Sequence, residues 1–276
     1  MKIRRMELKD LYDVLRICNQ SFLEMARWTS RIAPMIIESI RKYPELQLVA
    51  EEDGKIIGFL RGGYIENGLK VLHIAVHPSY QRRGIGSALI SKFEEIAQEK
   101  NLKRIALDTP FAKGFYEKIG YKCISIEYAL IYEVLGKEID DVENVEEFKL
   151  EHIPYIIKDL GKYSFDFLMH FFKVYESDPD KSFIYIKNSK VVGGTVSGTN
   201  TWNSDLVEIK YLIAKDNHSK ERLLKKVAYR ASLQGSRWIG YKTRSREEYM
   251  NLIRKGWKEA QLPYWWTRYE MEKMLS

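Results

Sequence analysis

Eight consecutive residues, Gln81-Arg82-Arg83-Gly84-Ile85-Gly86-Ser87-Ala88, bring two arginines and two glycines to the point where a short apolar strand, Lys70 to Val76, gives way to an amphipathic helix. This is chemistry for holding a pyrophosphate. Glycines let the backbone approach an anion closely and take up angles that a side chain forbids. A helix N-terminus adds unpaired N–H groups and a partial positive charge. The competing reading is a basic surface loop with solvated arginines. Other phosphate motifs fail on context. Gly84-Ile85-Gly86-Ser87-Ala88-Leu89 lacks the third glycine of a dinucleotide fingerprint, and its strand ends too far upstream for the tight turn that fold needs. Gly63 to Lys70 contains no Gly-Lys pair, and neither an HExxH nor a paired CxxC occurs, so no metal site is expected.

Two further segments flank the turn. Leu72-His73-Ile74-Ala75-Val76-His77-Pro78 precedes it, and Phe115-Tyr116-Glu117-Lys118-Ile119-Gly120-Tyr121 follows it. With Gln81, Gly84 and Gly86 in the pattern Gln/Arg-x-x-Gly-x-Gly/Ala, these three segments in order resemble the GNAT family of acetyl-CoA-dependent N-acetyltransferases over roughly the first half of the chain. The resemblance implies acetyl-CoA as cosubstrate and no metal. It implies that the pyrophosphate meets the backbone of Arg82, Arg83, Gly84, Ile85, Gly86 and Ser87, in the stretch Gln81 to Ala88, and that pantetheine runs beside Ile74, Ala75 and Val76 like an added strand. A backbone N–H near Val76 would polarise the thioester carbonyl.

The resemblance also assigns Tyr116 to the departing thiolate, with a core role as the alternative among 18 tyrosines. A phenol with an ordinary pKa of about 10 is a reasonable proton donor to a thiolate whose conjugate acid lies near 8.5. The attacking amine must first lose a proton. His73, which shares one face of its strand with Ala75 and His77, is one candidate base, although a non-catalytic role is the favoured reading for it; Glu66, Asp108 or a chain of waters are alternatives. Thr109 to Gly114 lacks the asparagine that many family members hold against the cofactor. The acceptor stays open among a protein N-terminus, a lysine side chain, a polyamine, an amino acid and an antibiotic amine, on a small molecule or a protein. Loops near Trp28 to Tyr43 are expected to select it.

These residues require a framework. Lys2–Met6 reads as a strand, Leu8 to about Met25 and Ala33 to Arg41 as helices, and Leu46–Glu51 and Lys55–Tyr64 as strands around an Asp53-Gly54 turn. After the glycine turn come a helix from Ser87 to Lys100, a strand at Arg104–Asp108, a short helix at Phe111–Lys118 and one or two strands over Tyr121–Val134. Gly136 to Glu146 is acidic and loses apolar periodicity, as a linker does.

Beyond it the order recurs. Helices are predicted at Phe148–Leu160, Glu221–Leu233 and Glu247–Lys255, and strands at Ser182–Lys187, Lys190–Ser197, Leu206–Ala214, Arg237–Lys242 and Trp257–Glu272. Ile186 to Gly193 echoes Glu51 to Gly58, and Ile253 to Lys258 echoes Glu117 to Lys122. The expected fold is α/β (α+β), two copies in tandem of a mixed, mostly antiparallel sheet flanked by helices. The expected domains are 1–136, the acetyl-CoA-binding one, then a linker at 137–146 and a degenerate copy at 147–276. In the second copy Asp216 to Arg222 replaces the glycine turn without a glycine, and Leu252 stands where Tyr116 stands in the first. A single unrelated α/β domain is the alternative. Trp265 and Trp266, with Tyr264 and Tyr269, form an aromatic cluster whose two tryptophans fall on opposite faces of a strand.

Composition bounds the rest. The 276 residues are 45% hydrophobic and 30% charged, with a net charge of +7. A packed core is accessible, and no run approaches the ~20 apolar residues of a membrane span. Met1 to Glu7 reads as a strand and not a signal peptide, so the expectation is a soluble cytoplasmic protein without a membrane partner. The positive charge is read as a solvated Lys/Glu surface; nucleic acid is not the expected partner. Cys18 and Cys123 read as small core residues. The reading favoured by these residues is an N-acetyltransferase active in its first domain. The alternative is a sensor or scaffold that holds acetyl-CoA or CoA without turnover.

Overall fold

The computed structural model describes residues 1–21, 29–175, 181–201, 203–262 and 265–275. The chain divides into two compact units, Met1–Glu127 with Arg268–Ser276, and Tyr128–Thr267.

In the first unit, β1 (Lys2–Arg5), β2 (Gln47–Glu52), β3 (Lys55–Ile65) and β4 (Gly68–Val76) form an antiparallel run. β5 (Arg104–Thr109) lies parallel to β4, and the chain's last strand, β15 (Arg268–Met274), sits between β5 and the start of β6 (Lys122–Glu133). The β2–β3 turn is the one the sequence announces: Asp53 and Gly54 both take positive φ, 49° and 73°. Helices α1 (Leu11–Ser21) and α2 (Thr29–Lys42) pack on one face through Val14, Ile17, Cys18, Ile32 and Ile36 against Val49, Phe59 and Ala75. α3 (Ile85–Glu99) covers the other face. Its Ile85, Leu89, Phe93, Ile96 and Ala97 recur at helical spacing and meet Leu48, Leu60, Leu69, Val71, Ile105 and Leu107. The short α4 (Lys113–Lys118) adds Tyr116 to that core.

The second unit follows the same plan. β7 (Val145–Glu147), β8 (Phe183–Lys187), β9 (Lys190–Thr199) and β10 (Leu206–Ala214) run antiparallel, and β11 (Trp238–Thr243) is parallel to β10. The second half of β6 pairs with β11 and with β12 (Lys258–Glu259). Helices α5 (Ile153–Leu160) and α6 (Ser164–Tyr175) serve one face, and α7 (Asn217–Leu233) with α8 (Arg246–Arg254) the other. β13 (Gln261–Leu262) and β14 (Trp265–Trp266) make a small hairpin. Its Trp265 is buried and Trp266 half-buried, as alternation demands; Tyr264 lies outside the described residues.

The boundaries differ from those expected at 1–136 and 147–276. The division falls inside β6, and the C-terminal strand belongs with the N-terminal unit because Met271 and Leu275 complete its core. The 137–146 stretch is not a free linker: Val142 and Val145 are buried in the second unit, and the acidic residues between are its solvent face. The single strand predicted over Trp257–Glu272 is four short ones. α6 stands outside the predicted helices, since its phenylalanines mask the period. Cys18 is buried, with its thiol pushed up to about 12 by burial, and Cys123 is half-buried. No helix among the described residues is long and apolar enough to cross a membrane.

The seat of α3 depends on one missing side chain. A Cβ on Gly62 would stand 2.2 Å from Cε2 of Phe93, so the ring lies directly on the β3 backbone. Gly62→Ala is expected to displace Phe93 and lower the stability measured by urea unfolding by about 1–3 kcal/mol. Gly114→Ala, whose Cβ meets nothing within 4 Å, is expected to leave it unchanged or slightly raised.

Candidate functional site

The site begins with a break in the sheet. β4 pairs with β5 only from Gly68 to Val71, whereas it pairs with β3 as far as Val76. Between these stretches the register slips by one: Gly62 faces Val71 and Arg61 faces His73, leaving Leu72 as the extra residue of a bulge. The bulge keeps the core face fed, by Leu69 and Val71 before it and by Ile74 and Val76 after it.

Beyond the bulge, hydrogen-bond direction alternates along β4. His77 donates to Ile57 O at 2.9 Å, so His77, Ala75 and His73 turn their backbone groups to β3. Ile74 and Val76 therefore aim theirs at the side that β5 has left. Of the three strand residues expected to meet a ligand, Ala75 is corrected: its backbone is used within the sheet and its side chain is buried against α1 and α2. The Val76 carbonyl already accepts from Gln81 Nε2 at 3.1 Å and Ser21 Oγ at 3.2 Å. Ser21 carries no signal in the sequence. Gln81 is corrected too, since its amide ties the loop to the strand and does not point outward.

The loop then climbs to α3. His77 Nδ1 accepts from Ser79 N at 3.2 Å. Arg82 (φ 64°) and Gly84 (φ 80°, ψ 0°) are left-handed, which turns successive N–H groups toward one side. Gly84 is the N-cap and supplies no side-chain acceptor, so the N–H groups of Ile85, Gly86 and Ser87 have none within the helix. Ala88 differs from expectation, because its N–H is taken by Gly84 O at 2.9 Å. Arg82 and Arg83 are exposed, with Arg83 over the Tyr80 ring at 5.1 Å. A Cβ on Gly86 would lie 3.5 Å from Phe115 Cζ and 4.0 Å from Val76 Cγ2. The end of β4, the start of α3 and α4 thus converge on Gly86. Bare backbone donors and two cations that pair with no carboxylate among the described residues make a seat that fits a pyrophosphate, with the outward edge of Ile74 and Val76 beside it for an amide-bearing chain.

Tyr116 is 4% exposed, set edge-on between Phe115 (5.0 Å) and Tyr121 (5.7 Å). No described residue hydrogen-bonds its hydroxyl. Burial pushes its pKa up to about 12, so the proton stays on oxygen as a donor.

His73 does not fit the role of base. Arg61 Nη1 meets its Nδ1 at 3.0 Å, and burial with that cation pushes the imidazole down to about 3. A neutral ring whose Nδ1 accepts carries its proton on Nε2, which leaves no lone pair for an ammonium proton. Asp108 is ion-paired with Lys70 at 2.6 Å, and the Glu66 carbonyl accepts from Arg104. Of the stretch expected to select the acceptor, Trp28 lies outside the described residues, and Thr29–Lys42 is the helix α2 and not a loop. Among the described residues no three His, Cys, Asp or Glu side chains are grouped to hold a metal.

The second unit repeats the break without the seat. β10 pairs with β11 only to Ile209, Lys210 is its bulge residue, and Lys215 N donates to Val192 O as His77 does to Ile57. α7 then starts at once. Asp216 caps it, accepting from Ser219 N at 2.7 Å, so a carboxylate stands where the first unit offers bare N–H groups. Glu248 accepts from Tyr241 (3.1 Å) and Thr243 (2.5 Å) and pairs with Lys220, tying α8 to α7. Leu252 O accepts from Trp257 N as Tyr116 O does from Tyr121 N, so Leu252 is the counterpart of Tyr116.

Residues 8–121 match the profile of the acetyltransferase (GNAT) family. An acetyltransferase of Pectobacterium atrosepticum is 37% identical over 95 residues, which span 67% of its length and 32% of this chain. One from Yersinia pestis (strain Pestoides F) is 36% identical over 83 residues, 59% of its length and 29% of this chain. Two solved structures resemble the chain over its whole length. A GCN5-related N-acetyltransferase from Sphaerobacter thermophilus superposes with a TM-score of 0.62 at 14% identity, covering 99% of this chain and 95% of that one. A tandem GNAT protein from the clavulanic acid biosynthesis pathway gives 0.60 at 13% identity, covering 99% and 98%. At such identities the likeness is one of fold.

The depressed His73 pKa has a measurable consequence. Above pH 6.5 the imidazole is neutral folded or unfolded. Between 6.5 and about 3 only the unfolded chain takes the proton, so stability falls as pH falls. His73→Asn keeps an acceptor for Arg61 and removes that titration. The wild-type thermal midpoint is expected to drop more steeply than the variant's between pH 7 and 5, with a slope of up to ~1.4 kcal/mol per pH unit. Parallel curves would mean that the folded imidazole protonates normally.

Proposed function

The chain belongs to the GNAT family of acetyltransferases, and from that premise we propose that its first unit moves the acetyl group of acetyl-CoA to a primary amine by direct attack. The observation that carries this reading is the outward edge of Ile74 and Val76 next to the uncapped start of α3. Backbone donors of Arg82 to Ser87, with the Arg82 and Arg83 charges, bind and orient the pyrophosphate. The outward groups of Ile74 and Val76 hold the pantetheine arm in strand register, and an outward N–H receives the charge that develops on the carbonyl oxygen. Acetyl-CoA supplies an activated thioester.

The new bond is C–N and the broken bond C–S. Nitrogen sheds one proton and sulfur gains one. Tyr116, neutral at every working pH, gives a hydrogen bond and then its proton to the leaving sulfur and is restored from the proton nitrogen sheds. With a pKa near 12 it is a weaker acid than an ordinary phenol, so its share comes as much from the hydrogen bond as from proton transfer. His73, held by Arg61, positions rather than deprotonates. The second unit, with Asp216 at the helix start and Leu252 in place of Tyr116, does not turn over.

Release of free CoA thiol across a panel of amines tests this. Tyr116→Phe is expected to lower kcat by about 100-fold while calorimetry shows unchanged acetyl-CoA affinity. An unchanged kcat removes Tyr116 from the reaction. Acetyl-CoA binding with no thiol release from any amine favours a protein that holds the cosubstrate without turnover. Gly84→Glu, which strains a left-handed backbone and sets a carboxylate at the helix start, is expected to weaken acetyl-CoA binding by at least 10-fold. Unaltered affinity would reassign the loop.

A further inference from the structure

We propose that Arg61 binds a carboxylate of the acceptor, so that the first unit acetylates small amines carrying their own carboxylate, amino acids foremost. This rests on the acetyl-transfer reading above and names the substrate class of that site.

Arg61 is 5% exposed, on β3 directly opposite His73 of β4. A guanidinium carries five N–H donors and keeps its charge. Nε donates to Ser39 Oγ at 3.0 Å and Nη1 to His73 Nδ1 at 3.0 Å. Both partners are neutral. The Cys18 thiol nearby is neutral as well, and Glu38, among the described residues the one carboxylate whose field reaches Arg61, is exposed and makes no hydrogen bond to it. Among the described residues no carboxylate ion-pairs with Arg61. Lys70, on the same sheet face, is by contrast answered by Asp108. A buried cation with donors to spare and no hydrogen-bonded carboxylate among the described residues is costly unless an anion arrives, and the guanidinium fork matches a carboxylate in two parallel hydrogen bonds.

The position fits the reaction. His73 immediately precedes Ile74, the first residue past the bulge whose N–H faces the open side. With a rise of about 3.3 Å per residue, the guanidinium stands level with the start of that edge. Arg61 and His73 lie on the α1–α2 face, whereas α3 and Tyr116 occupy the other. An acceptor anchored there by its carboxylate holds its amine within short reach of the thioester. The same charge repels polyamines and lysine side chains.

The test compares CoA thiol release by the full chain with an equimolar mixture of the proteinogenic amino acids, with the mixture of their carboxamides, and with spermidine. Wild type is expected to prefer the amino acids over the carboxamides by on the order of 30-fold in kcat/KM, the scale of a charge-assisted bidentate pair. Arg61→Met is expected to erase the preference and Arg61→Lys to keep part of it, with acetyl-CoA affinity by calorimetry reporting the fold of each. Carboxamides or spermidine turned over as well as amino acids by wild type, a comparison that needs no variant, would overturn the proposal and leave acetyl transfer standing. So would a preference that survives Arg61→Met. No thiol release with any acceptor would overturn the transferase reading and this proposal with it.

Discussion

The molecule turns on a strand that loses a neighbour. Past Val71, β4 keeps β3 but not β5, which exposes backbone donors in what would otherwise be the middle of a sheet. Such groups are costly to leave unpaired and are the means of holding a ligand by main chain alone. The bulge at Leu72 makes the break tolerable, because it restores inward apolar side chains after one residue out of register. Gly62 lets Phe93 hold α3 tight to the sheet, and Gly86 lets the start of that helix close on Val76 and Phe115. The uncapped helix start and the open edge are consequences of one packing arrangement.

The second unit shows what the break alone is worth. It keeps the bulge, the register and even the hydrogen bond that fixes which carbonyls face outward. What differs is local chemistry. Asp216 neutralises its own helix start, and Glu248 gathers Lys220, Tyr241 and Thr243 into a satisfied polar network. A fold can thus retain its strain relief while its polar groups turn inward on one another, which makes the unit self-sufficient.

Much of this was legible in the residues. Asp53-Gly54, the glycine turn and the Gly120 helix end carry local backbone demands that few other residues meet, so the elements around them could be read in order. The correspondence of Leu252 with Tyr116 could be counted from Gly256. Hydrogen-bond direction along β4 could not be read, because it depends on register with β3, and residue type alone does not separate Ala75 from its outward neighbours. Arg61 was invisible for the same reason: only cross-strand pairing brings it to His73, and only that pairing rules the imidazole out as a base. Ala88 and Gln81 sit in the motif but spend their donors on the protein, a distinction that residue type does not encode.

The placement of β15 bears on how the protein is made. The first unit's sheet leaves a slot between β5 and β6 that Arg268–Met274 fills, where Lys273 also bonds Glu94 and the Ile119 carbonyl. Translation reaches Arg268 only after the whole Tyr128–Thr267 unit has been threaded out. At roughly 5–20 residues per second that interval is on the order of ten seconds, during which two strand edges of the first unit stand bare to other nascent chains. The first unit is therefore completed only after the second has emerged, and a ribosome that stalls within Tyr128–Thr267 leaves the first unit without its closing strand.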